Sequence, residues 1–186
     1  MFDGCNHEQF LDYYRGAKEE IPSRIPKPRG RAVQITAMVD ASHAHNKVTR
    51  RSHTGYVTFI NRAPILWYSK RQNTVESSTF SSEFIAMKTC VESIIGLRFK
   101  LRMFGIPLYD PADVLCDNQA VVNNSSKVES KLNKKHSSVA YHATRWAVAA
   151  GIIRVGKIHS NENLADAFTK RLPVIKREYL FGNWTY

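Results

Sequence analysis

Alternating apolar and polar residues predict a strand where the first well-patterned part of the chain begins. From Ala32, the segment AVQITAMVD places Val33, Ile35, Ala37 and Val39 on one face, the spacing of a half-buried strand. TGYVTFI and PILWYS are two further β-rich runs separated only by NRA, so we predict a hairpin. The first half of the pattern is therefore an antiparallel meander.

The second half of the pattern alternates helices with strands. A long run from Glu76 to Gly105 has helical spacing, with serines at its start and a glycine at its end. The strand DVLC follows, then a short helix from about Gln119, a helix near 137–150, the strand IIRVGKI and a last helix in SNENLADAFTK. This order predicts an α/β fold with a mixed sheet and helices on its faces.

The two ends of the chain differ from this patterned region. Residues 1–31 contain EEIPSRIPKPRGR, with three prolines in seven residues, which predicts an extended linker. One interpretation of Phe10, Tyr13 and Tyr14 is that they dock on a domain that this chain lacks. The predicted division is a linker over 1–31, a domain over 32–173 and a tail over 174–186.

Charge and cysteine content narrow the class of protein. The chain has 27 Lys and Arg against 16 Asp and Glu, a net charge of +11, which favours a polyanionic partner such as nucleic acid. A basic surface without a specific partner is the alternative. The three cysteines form no C-x-x-C pair, which argues against a disulfide framework or a zinc site, and Cys90 and Cys116 lie in apolar, core-like segments. We find no apolar signal region and no run long enough to cross a bilayer, so we expect an intracellular protein without a membrane partner.

Acidic residues interrupt the apolar pattern in a way that suggests chemistry. Asp40 ends the first strand and Asp117 ends the fourth; if those strands are parallel neighbours, both acids lie at the same carboxyl edge of the sheet. Glu83 shares a helix face with apolar residues, where burial is costly unless the acid is paired or binds a cation. Asp166 lies in the apolar run LADAF.

Each of these acids has a simpler explanation when taken alone. Asp117 could be a helix N-cap, and Asp166 could be an acid placed near a helix N-terminus. As a set they are harder to explain this way, because no lysine or arginine occupies a matching position to neutralise them. Oxygen-only ligands suit Mg²⁺ or Mn²⁺, and two such ions about 4 Å apart can clamp a phosphodiester. With the basic charge, the set predicts a metal-dependent nuclease.

Several motifs in one order resemble a known family. They are MVDASHAHN, RRSHTGYVTFINRAPILWYSKRQNTVESSTFSSEF, CDNQAVV, KKHSSVAYHATRWAV and NLADAFTKRLP, which together run from about Ala32 to Pro173. This pattern resembles the ribonuclease H domain of copia-type LTR retrotransposon polyproteins. There are departures: Ser42 and His43 replace the second acid and the tryptophan of the family's first motif, and Trp146 stands where the family carries an acid.

The resemblance implies a fold, an activity and a set of residues. The fold is a five-stranded mixed sheet in order 3-2-1-4-5, and the activity is cleavage of the RNA strand of an RNA–DNA hybrid. The implied cofactor is two Mg²⁺ ions, for which Mn²⁺ can substitute. Residues 1–31 look like the segment that joins this domain to an upstream reverse transcriptase, the implied partner in the same polyprotein. The implied metal-binding acids are Asp40, Glu83, Asp117 and Asp166.

Further candidates concern substrate contact and proton transfer. Gln119 corresponds to a residue that contacts the hybrid backbone and minor groove in related domains, and Asn118 beside it is a second candidate for binding nucleic acid. His159, seven residues before Asp166, is a candidate for shuttling a proton to the leaving 3′ oxygen, although copia-type domains often lack that histidine. A basic stretch could follow a phosphate backbone, with a solvated charged face as the alternative; it contains Lys131, Lys134 and Lys135.

Two other functions compete with a ribonuclease H. One is a decayed or domesticated domain that binds hybrids without cutting them; the presence of all four acids favours the enzyme. The other is a DDE-type integrase, whose acids run Asp, Asp, Glu. Here the order is Asp, Glu, Asp, Asp, with Glu83 before the fourth strand, which counts against an integrase.

Overall fold

A computed structural model describes residues 7–130, 132 and 137–182 of the chain. The five strands are β1 (Ile35–Ser42), β2 (His53–Ile60), β3 (Ala63–Arg71), β4 (Ala112–Cys116) and β5 (Ile153–Lys157). The α-helices are α1 (His7–Tyr13), α2 (Thr79–Met103), α3 (Gln119–Ser126), α4 (Ser138–Ala149) and α5 (Val174–Phe181), and a 3₁₀ helix spans Leu164–Phe168. Within these ranges, none of the helices combines the length and the apolar character that crossing a membrane requires.

The strands form one mixed sheet in the order β3-β2-β1-β4-β5. β1 and β2 pair antiparallel, as do β2 and β3, whereas β4 runs parallel to both β1 and β5. The antiparallel part is the predicted meander, and the parallel part follows from strands separated by helices. The predicted α/β class and strand order are confirmed.

Helices cover both faces of this sheet. Ala37 and Val39 of β1 point into the main core, which α2 and α4 cover with buried residues such as Phe84 and Val148. The opposite face carries a smaller apolar cluster, to which α5 contributes Leu180 and β2 contributes Val57. This alternation along the strands is the period-2 pattern that predicted them.

The long helix α2 begins and ends where its sequence signals indicate. Ser78 is the N-cap, with its side chain accepting a hydrogen bond from the Ser81 amide. The helix ends at Met103, and Gly105 follows with a φ of +72°, a backbone conformation that glycine adopts without strain. Cys90 of this helix and Cys116 of β4 are buried thiols of the core, as predicted.

The N-terminal segment packs on this domain, contrary to the interpretation that its aromatic residues dock elsewhere. Phe10 is fully buried in the main core, and the Arg145 guanidinium lies 4.7 Å from the centre of its ring. Farther along, Glu19 accepts hydrogen bonds from Arg98 and Arg102 of α2. Apolar burial and ion pairing thus hold parts of the predicted linker to the domain, while its connection to an upstream domain stays a prediction.

The C-terminal region also differs from the prediction. The expected last helix in SNENLADAFTK is only the short 3₁₀ helix, because this segment packs closely on β2: a Cβ on Gly55 would lie 2.6 Å from Thr169 Cγ2 and 2.9 Å from Phe168 Cβ. After Pro173 the chain forms α5, so packed structure continues beyond the predicted boundary at residue 173.

Candidate metal centre

Three of the predicted acids converge where β1 and β4 lie side by side. Val39 of β1 pairs with Cys116 of β4, so the next residues, Asp40 and Asp117, lie next to each other at the carboxyl edge. Glu83 enters from α2, which packs against β1. One carboxylate oxygen from each of the three acids lies within 4.8 Å of the others. We call Asp40, Glu83 and Asp117 the carboxylate cluster.

A buried network of serines fixes the start of α2, from which Glu83 projects. The hydroxyl oxygen of Ser82 lies 2.8 Å from Nδ1 of His43 and 2.9 Å from the hydroxyl oxygen of Ser52. Ser137 donates to the hydroxyl of Ser81 at 2.9 Å. Because the preceding turn is held on several sides, the carboxylate of Glu83 has a defined position beside the strands.

Burial and mutual repulsion raise pKa values inside the cluster. Desolvation, followed by the charges of Asp40 and Asp117, raises the pKa of Glu83 to about 9. The pKa of Asp40 is also raised, chiefly by burial, although the hydroxyl of Thr169 and the charge of Lys170 act in the opposite direction. In the absence of a cation, Glu83 is therefore protonated near neutral pH. Three crowded oxygen donors of this kind fit a hard divalent cation such as Mg²⁺ or Mn²⁺.

Asp117 does not cap the helix that follows it. The N-cap of α3 is Asn118, whose side-chain oxygen accepts hydrogen bonds from the amides of Ala120 at 3.0 Å and Val121 at 3.4 Å. The N-cap alternative for Asp117 is therefore wrong, because the neighbouring asparagine fills that role. The carboxylate of Asp117 belongs instead to the cluster.

Asp166, the fourth predicted ligand, has different surroundings. It is buried, yet it is not one of the three acids whose oxygens come together. Its Oδ1 lies 2.7 Å from Nζ of Lys170 and its Oδ2 lies 2.6 Å from Nζ of Lys176. The expectation that no lysine neutralises the four acids is therefore wrong for Asp166. Lys170 follows it by four residues, a spacing visible in the sequence, whereas Lys176 is brought to it by α5.

The other candidate residues are scattered around this centre. Gln119 is exposed at the start of α3 and donates a hydrogen bond to Asn123. His159 is exposed in the loop after β5, where its Nδ1 accepts a hydrogen bond from the Asn161 amide at 3.2 Å. The structure does not bring His159 into the carboxylate cluster. Lys131, Lys134 and Lys135 lie outside the described residues.

Asn163, Thr169 and Lys170 make contacts near the carboxylate cluster to which the sequence analysis assigned no role. The Thr169 hydroxyl donates a hydrogen bond to Oδ2 of Asp40, and Nζ of Lys170 lies 3.9 Å from the same oxygen. Asn163 donates to the carbonyl of Val39 at 3.1 Å, which ties the loop before the 3₁₀ helix to β1. The spacing of these residues in the chain does not reveal such contacts, because their partners lie more than a hundred residues away.

A basic pocket adjoins the centre on the side of α5. Its volume is about 540 Å³, and its lining includes His45, His53 and the cationic side chains of Lys170, Arg171 and Arg177. Partial burial and the neighbouring charges of His45 and Arg71 lower the pKa of His53, the direction expected in a positive field. We call this feature the basic pocket; an anionic group would bind there favourably.

Comparison with known proteins places this geometry in a family. No protein-family model matches the chain. The retrovirus-related Pol polyprotein from transposon TNT 1-94 of Nicotiana tabacum is 34% identical over 144 residues, which cover 77% of this chain and 11% of that protein. The retrovirus-related Pol polyprotein from transposon RE1 of Arabidopsis thaliana is 28% identical over 144 residues, covering 77% of this chain and 10% of that protein. The chain thus spans about a tenth of the length of these curated relatives.

Solved structures agree on the fold. Ribonuclease H1 from Halobacterium salinarum superposes with a TM-score of 0.55 at 15% identity, covering 73% of this chain and 94% of that one. The compost-derived LC11 ribonuclease H1, solved in complex with an RNA/DNA hybrid, gives a TM-score of 0.55 at 17% identity, with 73% and 94% covered. Together with the polyprotein relatives, these likenesses show that the chain belongs to the retrotransposon Pol polyproteins and that the region described is their ribonuclease H-fold domain.

Proposed function

We propose that this chain is a metal-dependent endonuclease that cleaves the RNA strand of RNA–DNA hybrids during the reverse transcription of a copia-type retrotransposon. The observation that carries the proposal is the carboxylate cluster on a ribonuclease H fold, with three oxygens within 4.8 Å of one another. The structure of a foamy viral protease-reverse transcriptase was solved with an RNA/DNA hybrid and shares this fold at a TM-score of 0.51 and 13% identity. A reverse transcriptase in the same polyprotein is the proposed partner.

Asp40, Glu83 and Asp117 would hold one divalent ion, with Mg²⁺ as the expected metal and Mn²⁺ as a substitute. Such an ion supplies charge neutralisation at a phosphodiester and lowers the pKa of water. Thr169 orients the Asp40 carboxylate through its hydrogen bond, and Lys170 adds a positive charge beside it. The proposed two-ion arrangement also needs Asp166, at least one of whose oxygens first has to be released from its lysine.

The basic pocket would receive phosphates of the hybrid next to the scissile position. It shares Thr169 and Lys170 with the surroundings of the carboxylate cluster, so a strand that crosses the centre can continue into it. Phosphate contacts supply most of the affinity of such proteins, and they weaken steeply with salt. Gln119, exposed at the start of α3, stays a proposed contact, as do Lys131, Lys134 and Lys135. The side-chain oxygen of Asn118 caps α3. The side-chain nitrogen of the same residue is therefore the proposed contact to a substrate.

His159 is not needed in this proposal, although a substrate could draw its loop toward the centre. An integrase remains the weaker alternative because Glu83 lies on α2, ahead of β4. A domain that binds hybrids without cutting them has one observation in its favour: lysines engage both oxygens of Asp166.

Cleavage of a labelled RNA–DNA hybrid tests these functions against one another. We expect the RNA strand to be cut with Mg²⁺ and left intact with EDTA, while duplex DNA stays intact, because the fold's substrates are distinguished by their 2′-hydroxyls. Equal cutting of duplex DNA would revive the integrase. Tight binding of the hybrid without cleavage in Mg²⁺ or Mn²⁺ would establish the binding-only domain.

A further inference from the structure

The surroundings of Asp166 resemble an occupied cation site more than an open one. Its side chain is 1% exposed, and each of its oxygens has an ammonium within 2.7 Å. A metal ion would need at least one of these oxygens. The two lysines are therefore competitors of any ion that uses Asp166 as a ligand.

The two lysines differ in how firmly they are held. Lys176 also donates a hydrogen bond to the carbonyl of Ser160 at 3.0 Å, and its side chain is 24% exposed. Lys170 is 42% exposed and lies on the inner side, 3.9 Å from Oδ2 of Asp40. It is therefore placed between the carboxylate cluster and Asp166. A long, exposed side chain of this kind can swing into water with its charge hydrated.

Lys170 carries its charge at this position. Its Nζ lies 2.7 Å from Oδ1 of Asp166 and 3.9 Å from Oδ2 of Asp40, so two carboxylates face the ammonium. A cationic nitrogen between two carboxylates provides part of the neutralisation that a second metal ion would provide.

We propose that Lys170 is an internal cation that competes with a second divalent ion for Asp166. It neutralises the buried carboxylate when that ion is absent and moves out toward solvent when the ion binds, while Lys176 keeps its contacts. This inference rests on the proposed metal-dependent function. If Asp166 instead took no part in metal binding, removal of the lysine would leave the binding of the second ion unchanged.

Titration with Mn²⁺ in the absence of nucleic acid tests the competition directly, with free Mn²⁺ counted by electron paramagnetic resonance. In Lys170→Met the second ion should bind about tenfold more tightly or better, the effect of removing a competing positive charge that lies 2.7 Å from its ligand. The first ion, at the carboxylate cluster, should change less. Lys170→Arg keeps the positive charge and should retain weak binding of the second ion.

Lys100→Met is the matched control, because it removes one lysine from the far end of α2, about 25 Å along the helix from Glu83. It should bind both ions as wild type does. Lys170→Gln is a second variant that removes the same charge. Melting curves of every variant show whether each one is folded, so the result does not depend on a single protein. An unchanged second ion in both Lys170→Met and Lys170→Gln would overturn the inference and leave the proposed function standing. If wild type bound no Mn²⁺ at all, the metal-dependent function itself would fail.

Discussion

Replacing Glu83 by glutamine should remove a pH dependence from the stability of the metal-free protein. The pKa of Glu83 is raised to about 9 by burial and by its acidic neighbours, whereas an unfolded glutamate titrates near 4.5. Between these two values the folded protein binds a proton that the unfolded chain has lost. Its stability is therefore complete below the unfolded pKa and falls as the pH rises toward the folded one.

The size of the effect follows from this difference in protonation. In the window between the two pKa values, each pH unit lowers the free energy of unfolding by up to about 1.4 kcal/mol, or about 2.7 kcal/mol between about pH 6 and pH 8. For a chain of this size, that corresponds to a fall of about 5–10 °C in melting temperature. A glutamine has the shape of the protonated acid but does not titrate. In Glu83→Gln, the free energy of unfolding should therefore lose this contribution to its dependence on pH.

The assay is chemical or thermal unfolding in EDTA at several pH values for wild type and Glu83→Gln. Glu92→Gln is the matched control, because Glu92 lies on the same helix but is exposed and paired with Lys88. Addition of Mg²⁺ should flatten the wild-type slope, since an ion replaces the proton on the cluster, and should have less effect on Glu83→Gln. Equal slopes for wild type and Glu83→Gln in EDTA would refute the reasoning.

Three further changes test other parts of the site. Asp117→Asn should melt in EDTA no lower than wild type, because one of the repelling charges of the carboxylate cluster is removed. It should reduce the Mg²⁺-induced rise in melting temperature, and it should lower single-turnover cleavage by orders of magnitude. Replacing Arg171 and Arg177 by alanine should reduce the slope of log affinity against log salt by about one per lost phosphate contact, and an unchanged slope would remove the basic pocket from the substrate path. Gly55→Ala should destabilise the fold by about 1–3 kcal/mol and lower cleavage, because the new Cβ would lie 2.6 Å from a side-chain carbon beside the 3₁₀ helix. Gly96→Ala, where nothing lies within 4 Å, should be neutral or stabilising in the same unfolding measurement.

Local pattern was sufficient to predict most of the elements and the proximity of the acids in the carboxylate cluster. Three features follow from local sequence: the alternation along β1, the limits of α2 at a serine and a glycine, and the burial of Cys90. Each depends on which residues face the core within a single strand or a few helical turns, and the spacing of apolar residues shows this directly. Asp40 and Asp117 could be placed together because parallel strands end at one edge of a sheet. The family motifs added the strand order, which periodicity alone does not contain.

Other features were decided by contacts between distant parts of the chain. Phe10 lies in the main core because α4 offers it a packing surface, with Arg145 over its ring, and nothing near residue 10 predicts that surface. The last predicted helix is shortened because the chain packs closely against Gly55 of β2. Lys176 reaches Asp166 because α5 folds back after Pro173. In each case the deciding partner is fixed by tertiary packing, which carries no periodic signal in the segment itself. The sequence by itself therefore identified Asp40, Glu83 and Asp117 as neighbours, whereas the tertiary structure decided that Asp166 lies outside their cluster and that two lysines contact it.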